Sequence, residues 1–226
     1  MMRIDILTLF PEMFEPIYAS IIGRAVKNDI LNINTINIRD YSDDKHKKTD
    51  DYPYGGGSGM LMTSQPVFDA YESIEKGIDY KPKVIFLTPK GKTLTQEKII
   101  ELGNEKHLVL LCGHYEGIDQ RVIDLIVDEE ISIGDYVLTG GEIPAMVLID
   151  SVARVIPGVL KSCESYINES HFNRILEYSQ YTRPPEFKGL KVPEILLSGN
   201  HAEIKKWRNN QALLNTKIKR PDLLQK

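Results

Sequence analysis

The chain has 226 residues, 42% hydrophobic and 27% charged, a balance that excludes a disordered or fibrous class and fits one large domain, or a large domain with a small one. No apolar run approaches the roughly 18 residues that cross a bilayer, and the two cysteines and five histidines lack metal-ligand spacing, so neither a membrane span nor a metal site is expected. Net charge is −4 but uneven: from Lys161 onward 12 Lys and Arg stand against 7 Asp and Glu, and before it 16 stand against 25.

The N-terminal "RIDILTLF" (3–10) reads as a first strand. Asp5 interrupts its apolar run, Pro11 follows, and no small-residue cleavage site appears, so the expected location is cytoplasmic, with Cys112 and Cys163 reduced. A helix is expected from Pro11 to about Asp29, then a half-buried strand in the alternating "LNINTINIR" (31–39). Residues 40–65, a charge run followed by a glycine run, form a long loop of the kind that is functional or disordered in compact domains. Helix 66–76, strand 83–89, helix 94–103, strand 107–113 and helix 119–127 follow, and a fifth strand lies within "EISIGDYVL" (130–138). A helix from Glu142 to Ile156 comes next, then a linker-like stretch at 161–180 and a helical end carrying "KKWR" and "KIKR". Strand and helix alternate, and "VIFL" and "LVLLC" are apolar throughout, as strands covered on both faces must be; this is a parallel α/β sheet.

Three glycine-bearing loops each follow a buried strand: "LTPKGKT" (87–93), "CGHYEGID" (112–119) and "SIGDYVLTGGE" (132–142). Ligands of open α/β sheets sit at the carboxyl ends of strands, so the three loops are expected to converge on one pocket. Such a pocket offers small residues, backbone groups and the carboxylates Glu116, Asp119, Asp135 and Glu142, which suits a planar, polar ligand such as a purine nucleoside. Each glycine taken singly is better explained by a tight turn. The "GKT" at Gly91 lacks the glycine that a phosphate-binding loop requires at Phe86. The "GGGSG" run at 55–59 follows a charged loop instead of a strand, as a dinucleotide fingerprint would not. A nucleophile elbow is absent as well. The basic C-terminal part fits a polyanion, whose phosphates dominate nucleic-acid affinity, and a solvated basic helix explains the same charges. Trp207, set among Lys205, Lys206 and Arg208, reads either as a core anchor or as a stacking platform.

Together, "CGHYEGIDQR" (112–121), "SIGDYVLTGGE", "ARVIPGVL" (153–160) and "YTRPPEFKGLKVPEILLSGNH" (181–201) closely resemble the bacterial tRNA (guanine-N1)-methyltransferases of the SPOUT class, in the same order over nearly the whole chain. The resemblance implies a SPOUT-type parallel sheet with helices on both faces and a deep trefoil knot, which periodicity alone does not give. It implies a catalytic domain over 1–160, a linker over 161–172 and a small helical domain over 173–226 that clasps the tRNA anticodon stem-loop. It further implies S-adenosyl-L-methionine as cofactor, methylation of guanosine 37 next to the anticodon, and a homodimer with its active site at the interface. Carried over by position, the cofactor-binding residues are Leu87, Pro89, Gly113, Tyr115, Glu116, Gly117, Ile133, Gly134, Asp135, Tyr136, Val137, Leu138, Gly140 and Gly141.

Guanine N1 loses a proton as the methyl arrives while charge gathers on O6, so the reaction needs a carboxylate base and a cation or donor. The resemblance nominates Arg154 for O6. For the base, the family has an aspartate about twelve residues before the tyrosine of "YTRP"; Tyr181 sets that register and puts Glu169 there, in "NESHF". Glutamate is a departure that lengthens the reach by about 1.5 Å. Arg174 and Ser179 also stand where the family prefers glycine and proline. An ion-paired helix arginine and an exposed linker carboxylate are the plain alternatives for Arg154 and Glu169. The "YPYGGGSGM" loop is a candidate cover for the inserted base.

Overall fold

The computed structural model describes residues 1–161 and 169–225, so residues 162–168 of the expected linker, with Cys163, lie outside the described residues. The chain divides into two compact units, Met1–Lys161 and Ser162–Lys226.

The first unit is built on five parallel strands in the order β2-β1-β6-β5-β7. These are β1 Met2–Thr8, β2 Leu31–Asn37, β5 Lys83–Thr93, β6 His107–Cys112 and β7 Glu129–Ser132; β3 Asp50–Asp51 and β4 Leu61–Met62 form a small antiparallel pair apart from the sheet. Alternate side chains of each strand enter opposite cores, as the two-residue period demands. Ile4, Ile6, Ile85, Leu87, Leu108 and Leu110 point to one face, where α1 (Ile21–Lys27), α3 (Gln96–Leu102) and α5 (Glu142–Val155) cover them. Leu7, Val84, Phe86, Val109 and Leu111 point to the other, under α2 (Ser64–Glu75) and α4 (Gln120–Ile126). Both faces are covered, which is why "VIFL" and "LVLLC" in the inner strands β5 and β6 carry no polar alternation.

Four details differ from the sequence expectation. The helix over 11–29 is a 3-10 segment, Pro11–Ala19, followed by α1, because Pro16 has no N–H to give an α-helical ladder. Residues 87–93 are not a free loop: they continue β5, with a register shift against β7 between Leu87 and Lys92. Gly91 passes so close to the backbone of Glu130 and Ile131 that a Cβ there would overlap it. The fifth strand stops at Ser132, where its hydroxyl engages Gly134, whose φ of 154° turns the chain. Within 40–65, the β3–β4 pair and the backbone bond from Thr63 N–H to the Thr49 carbonyl (2.8 Å) tie the ends of the charged stretch together.

The second unit contains a two-strand hairpin, β8 Glu186–Phe187 and β9 Leu190–Lys191, a four-residue helix Glu194–Leu197, and a 19-residue helix His201–Lys219 capped by the Asn200 side chain, which accepts from Glu203 N–H. Lys188 and Gly189, both at positive φ, close the hairpin. Of the long helix only Ala212 and Thr216 are buried.

Candidate active site

The carboxyl ends of β5, β6 and β7 open on a cavity of about 430 Å³. After β6 the chain turns through Tyr115 (φ 58°) and Gly117 (φ 135°), closed by Gly117 N–H donating to the His114 carbonyl at 3.2 Å. Tyr115 occupies the left-handed region without being glycine, a strain that clusters at functional sites. The segment before β4 lies against this turn: Glu116 N–H donates to the Met60 carbonyl (3.0 Å), Met62 N–H to Gly117 (2.9 Å) and Asp119 N–H to Met62 (3.0 Å). The Glu116 side chain packs over Gly59, whose φ of 82° favours glycine.

After β7 the chain swings back across the β6 turn. Gly141 N–H donates to the Gly113 carbonyl (2.8 Å), and a Cβ on Gly141 would stand 2.7 Å from Cys112 Cα and 2.9 Å from Gly113 N. Backbone therefore lies on backbone, and glycine is required here by space: Gly141 has an ordinary φ of −81°. Behind the crossing, Glu142 begins α5 fully buried and accepts a 2.8 Å hydrogen bond from the Thr8 hydroxyl. The Glu142 carboxylate and the His114 ring both crowd the place a Gly140 side chain would take. Burial, and then the Glu142 charge, push the Cys112 thiol well above its ordinary range.

Of the fourteen residues expected around the cofactor, Leu87, Pro89, Gly113, Tyr115, Glu116, Gly117, Ile133, Gly134, Tyr136, Val137, Leu138, Gly140 and Gly141 line this cavity. Asp135 does not. Tyr136 folds back over Gly134, and Val137 is 79% exposed at the rim. The lining also includes, among others, Thr88 and His114, which lie within two of the loops expected to converge there, and Leu61 and Pro144, which the sequence did not single out. Thr88 and His114 adjoin nominated neighbours and were recoverable by contiguity; Leu61 arrives from a distant loop and left no local signal. Arg154 sits half-buried on the last turn of α5 in the first unit and is not part of the cavity lining. Glu169 lies, half-buried, in the second unit.

A parallel sheet covered on both faces, with a backbone-walled cavity where three adjacent strands end, defines an α/β protein built to hold a small ligand at its sheet edge. The chain belongs to the family described as tRNA (Guanine-1)-methyltransferase TrmD, which matches residues 2–226. It is 63% identical over 226 residues to the tRNA (guanine-N(1)-)-methyltransferase of Ruminiclostridium cellulolyticum, covering all of this chain and 97% of that one. It is 61% identical to the protein of that name from Alkaliphilus oremlandii (99% of this chain, 92% of the other) and 59% identical to that of Clostridium perfringens (100% and 94%). No helix among the described residues is long and apolar enough to cross a membrane.

Proposed function

We propose that the chain transfers a methyl group from S-adenosyl-L-methionine to N1 of the guanosine at tRNA position 37, next to the anticodon, in the cytoplasm. The observation that carries this reading is the crossing of Gly140–Gly141 over Gly113. It puts the glycines 113, 140 and 141 on the cavity lining, where a flat adenosine can approach the backbone. We read the same crossing as part of a trefoil knot, because the turns after β6 and β7 pass in backbone contact.

When bound, the cofactor supplies a methyl group on a sulfonium sulfur, already electrophilic enough to need no covalent enzyme intermediate. The turn 133–138 holds the adenine edge through backbone groups, Gly140 and Gly141 admit the ribose, and Glu116 receives the methionine ammonium as a charge-assisted contact. Asp135, outside the cavity lining, is assigned no contact with the cofactor. Glu169 accepts the N1 proton and Arg154 stabilises the charge that develops on O6; removal of a preorganised donor of this kind lowers the rate by about a hundredfold to a thousandfold. The target base leaves its stack to reach the methyl group, at a cost of a few kcal/mol. The glycine run at 55–59, tied through Met60 to Glu116, covers it.

Residues 1–160 form the catalytic domain, 161–172 the linker, and 173–226 the domain that grips the anticodon stem-loop with the cations of its long helix. Two copies of the chain complete each site. Labelled cofactor, the dimer and an unmodified tRNA transcript, followed by mapping of the methylated base, test the reading. Label on N1 of guanosine 37 supports it, and label elsewhere or none refutes it. A thermal shift given by S-adenosylhomocysteine but by no dinucleotide separates it from an oxidoreductase on the same kind of sheet.

A further inference from the structure

The second unit holds a cavity of its own, about 570 Å³, between the stretch 178–185, Val192, the short helix Glu194–Leu197 and the first turns of the helix His201–Lys219. Its wall is of two kinds. Leu196 and Ile204 give it an apolar part, while Arg183, Arg208, Tyr178 and Tyr181 bring two guanidinium groups and two aromatic rings. The Arg208 guanidinium lies 4.9 Å from the centre of the Tyr178 ring, and Tyr181, half exposed, lies 6.4 Å from Trp207. No acidic side chain lines the cavity, and among the described residues neither Arg183 nor Arg208 is in an ion pair.

We propose that this cavity takes one nucleotide of the RNA substrate other than the methylated guanosine, with its base against the tyrosine rings and its phosphate on Arg183 and Arg208. The inference rests on the reading of the chain as a tRNA methyltransferase and adds to it a second holding point. Single-stranded RNA is held by stacking unpaired bases on aromatic or guanidinium planes, a contact that tolerates any base. Guanidinium forks match phosphate oxygens in pairs, and the cavity lies in the part of the chain with the positive surplus. A cavity of several hundred Å³ is of the size that encloses a compound like a nucleotide. An apolar protein segment seated here would remove both guanidinium groups from water and give them no partner, which is costly.

The test measures the affinity of the full-length protein for an unmodified tRNA transcript across a salt series, in wild type, Arg183→Ala, Arg208→Ala, Arg208→Lys and Tyr181→Leu. Each alanine variant is expected to bind about tenfold more weakly and to lower the slope of log affinity against log salt by about one. Arg208→Lys keeps the slope while losing part of the affinity, and carries the test should an alanine variant fail to fold. Tyr181→Leu weakens binding several-fold with the slope unchanged. The thermal shift with S-adenosylhomocysteine and the Trp207 emission, read on each variant, keep folding defects apart from lost contacts. Alanine variants within twofold of a wild type that binds tRNA overturn the proposal. So do variants that keep tRNA affinity and lose dimerisation, since the cavity then seats a second copy of the chain. A wild type that binds no tRNA at all sinks the reading beneath it, and this inference with it.

Discussion

Asp5 is wholly buried on β1, and three groups meet its carboxylate: His107 Nε2 and the Arg3 guanidinium at 2.8 Å and the Asn34 amide at 2.9 Å. Burial alone would raise its pKa; the hydrogen bonds from His107, Asn34 and Arg3, with the Arg3 charge, outweigh that and hold it below the ordinary carboxylate range. The folded chain thus binds this proton less readily than the unfolded one. Its stabilising contribution is complete above the unfolded value of about 4 and disappears as pH falls through the lowered folded value. Asp5→Asn is expected to cost about 3 kcal/mol at neutral pH, as loss of one member of a buried charged pair does, and to flatten the acid limb of the stability profile. Urea midpoints measured between pH 3 and 7 check both effects, and an unchanged midpoint at pH 7 contradicts the assignment. In the sequence Asp5 was visible only as an interruption of an apolar run, because its partner His107 lies 102 residues away and no spacing rule links them. Gly141 was legible as a site residue but not for its reason. Gly141→Ala must push Cα of Cys112 aside, so we expect a loss of about 1–3 kcal/mol and a smaller thermal shift with S-adenosylhomocysteine than wild type gives.

The inner strands were readable because "VIFL" and "LVLLC" are apolar throughout, and β2 because it alternates apolar and polar residues; α3 and α4 are capped by Thr95 and Asp119, each accepting from a backbone N–H of the first turn. What escaped depends on contacts beyond the local pattern. The extension of β5 through 87–93 is held by pairing with β7, and the hairpin β8–β9 by a Lys-Gly turn too short to leave a periodic trace. Helix α5 reads correctly as a helix, but its two faces divide its roles. Ala145, Leu148, Ile149, Val152 and Ala153 are buried, while Ile143 and Val147, one turn apart, remain 44% and 40% exposed. An apolar pair facing outward beside the cavity suits a contact between copies of the chain. The double variant Ile143→Glu/Val147→Glu is therefore expected to sediment as a monomer with an unaltered circular dichroism spectrum and to lose methylation. Sedimentation as a dimer would refute that role for the outer face of α5.

At the scale of the whole molecule, the alternation of strands and helices gave the layers of the first unit but not the strand order β2-β1-β6-β5-β7, in which sequence neighbours β5 and β6 are adjacent while β2 takes an edge. Strand order follows from which loops cross which strands, and composition carries no record of that. The candidate base falls in the second unit and the candidate O6 donor in the first, so the assignment of roles is tested by chemistry on the intact protein. Glu169→Gln is expected to lower single-turnover methylation by about a hundredfold or more, with cofactor affinity unchanged; an undiminished rate removes Glu169 from the mechanism. The backbone of Cys112 lies against the place where Gly141 rides over Gly113, and its thiol is fully buried and held protonated by its surroundings. It makes a natural clock for the separation of those two turns. With Cys163 replaced by serine, an alkylating reagent should react with Cys112 only as fast as the crossing parts, and saturating S-adenosylhomocysteine should slow that labelling in proportion to its occupancy.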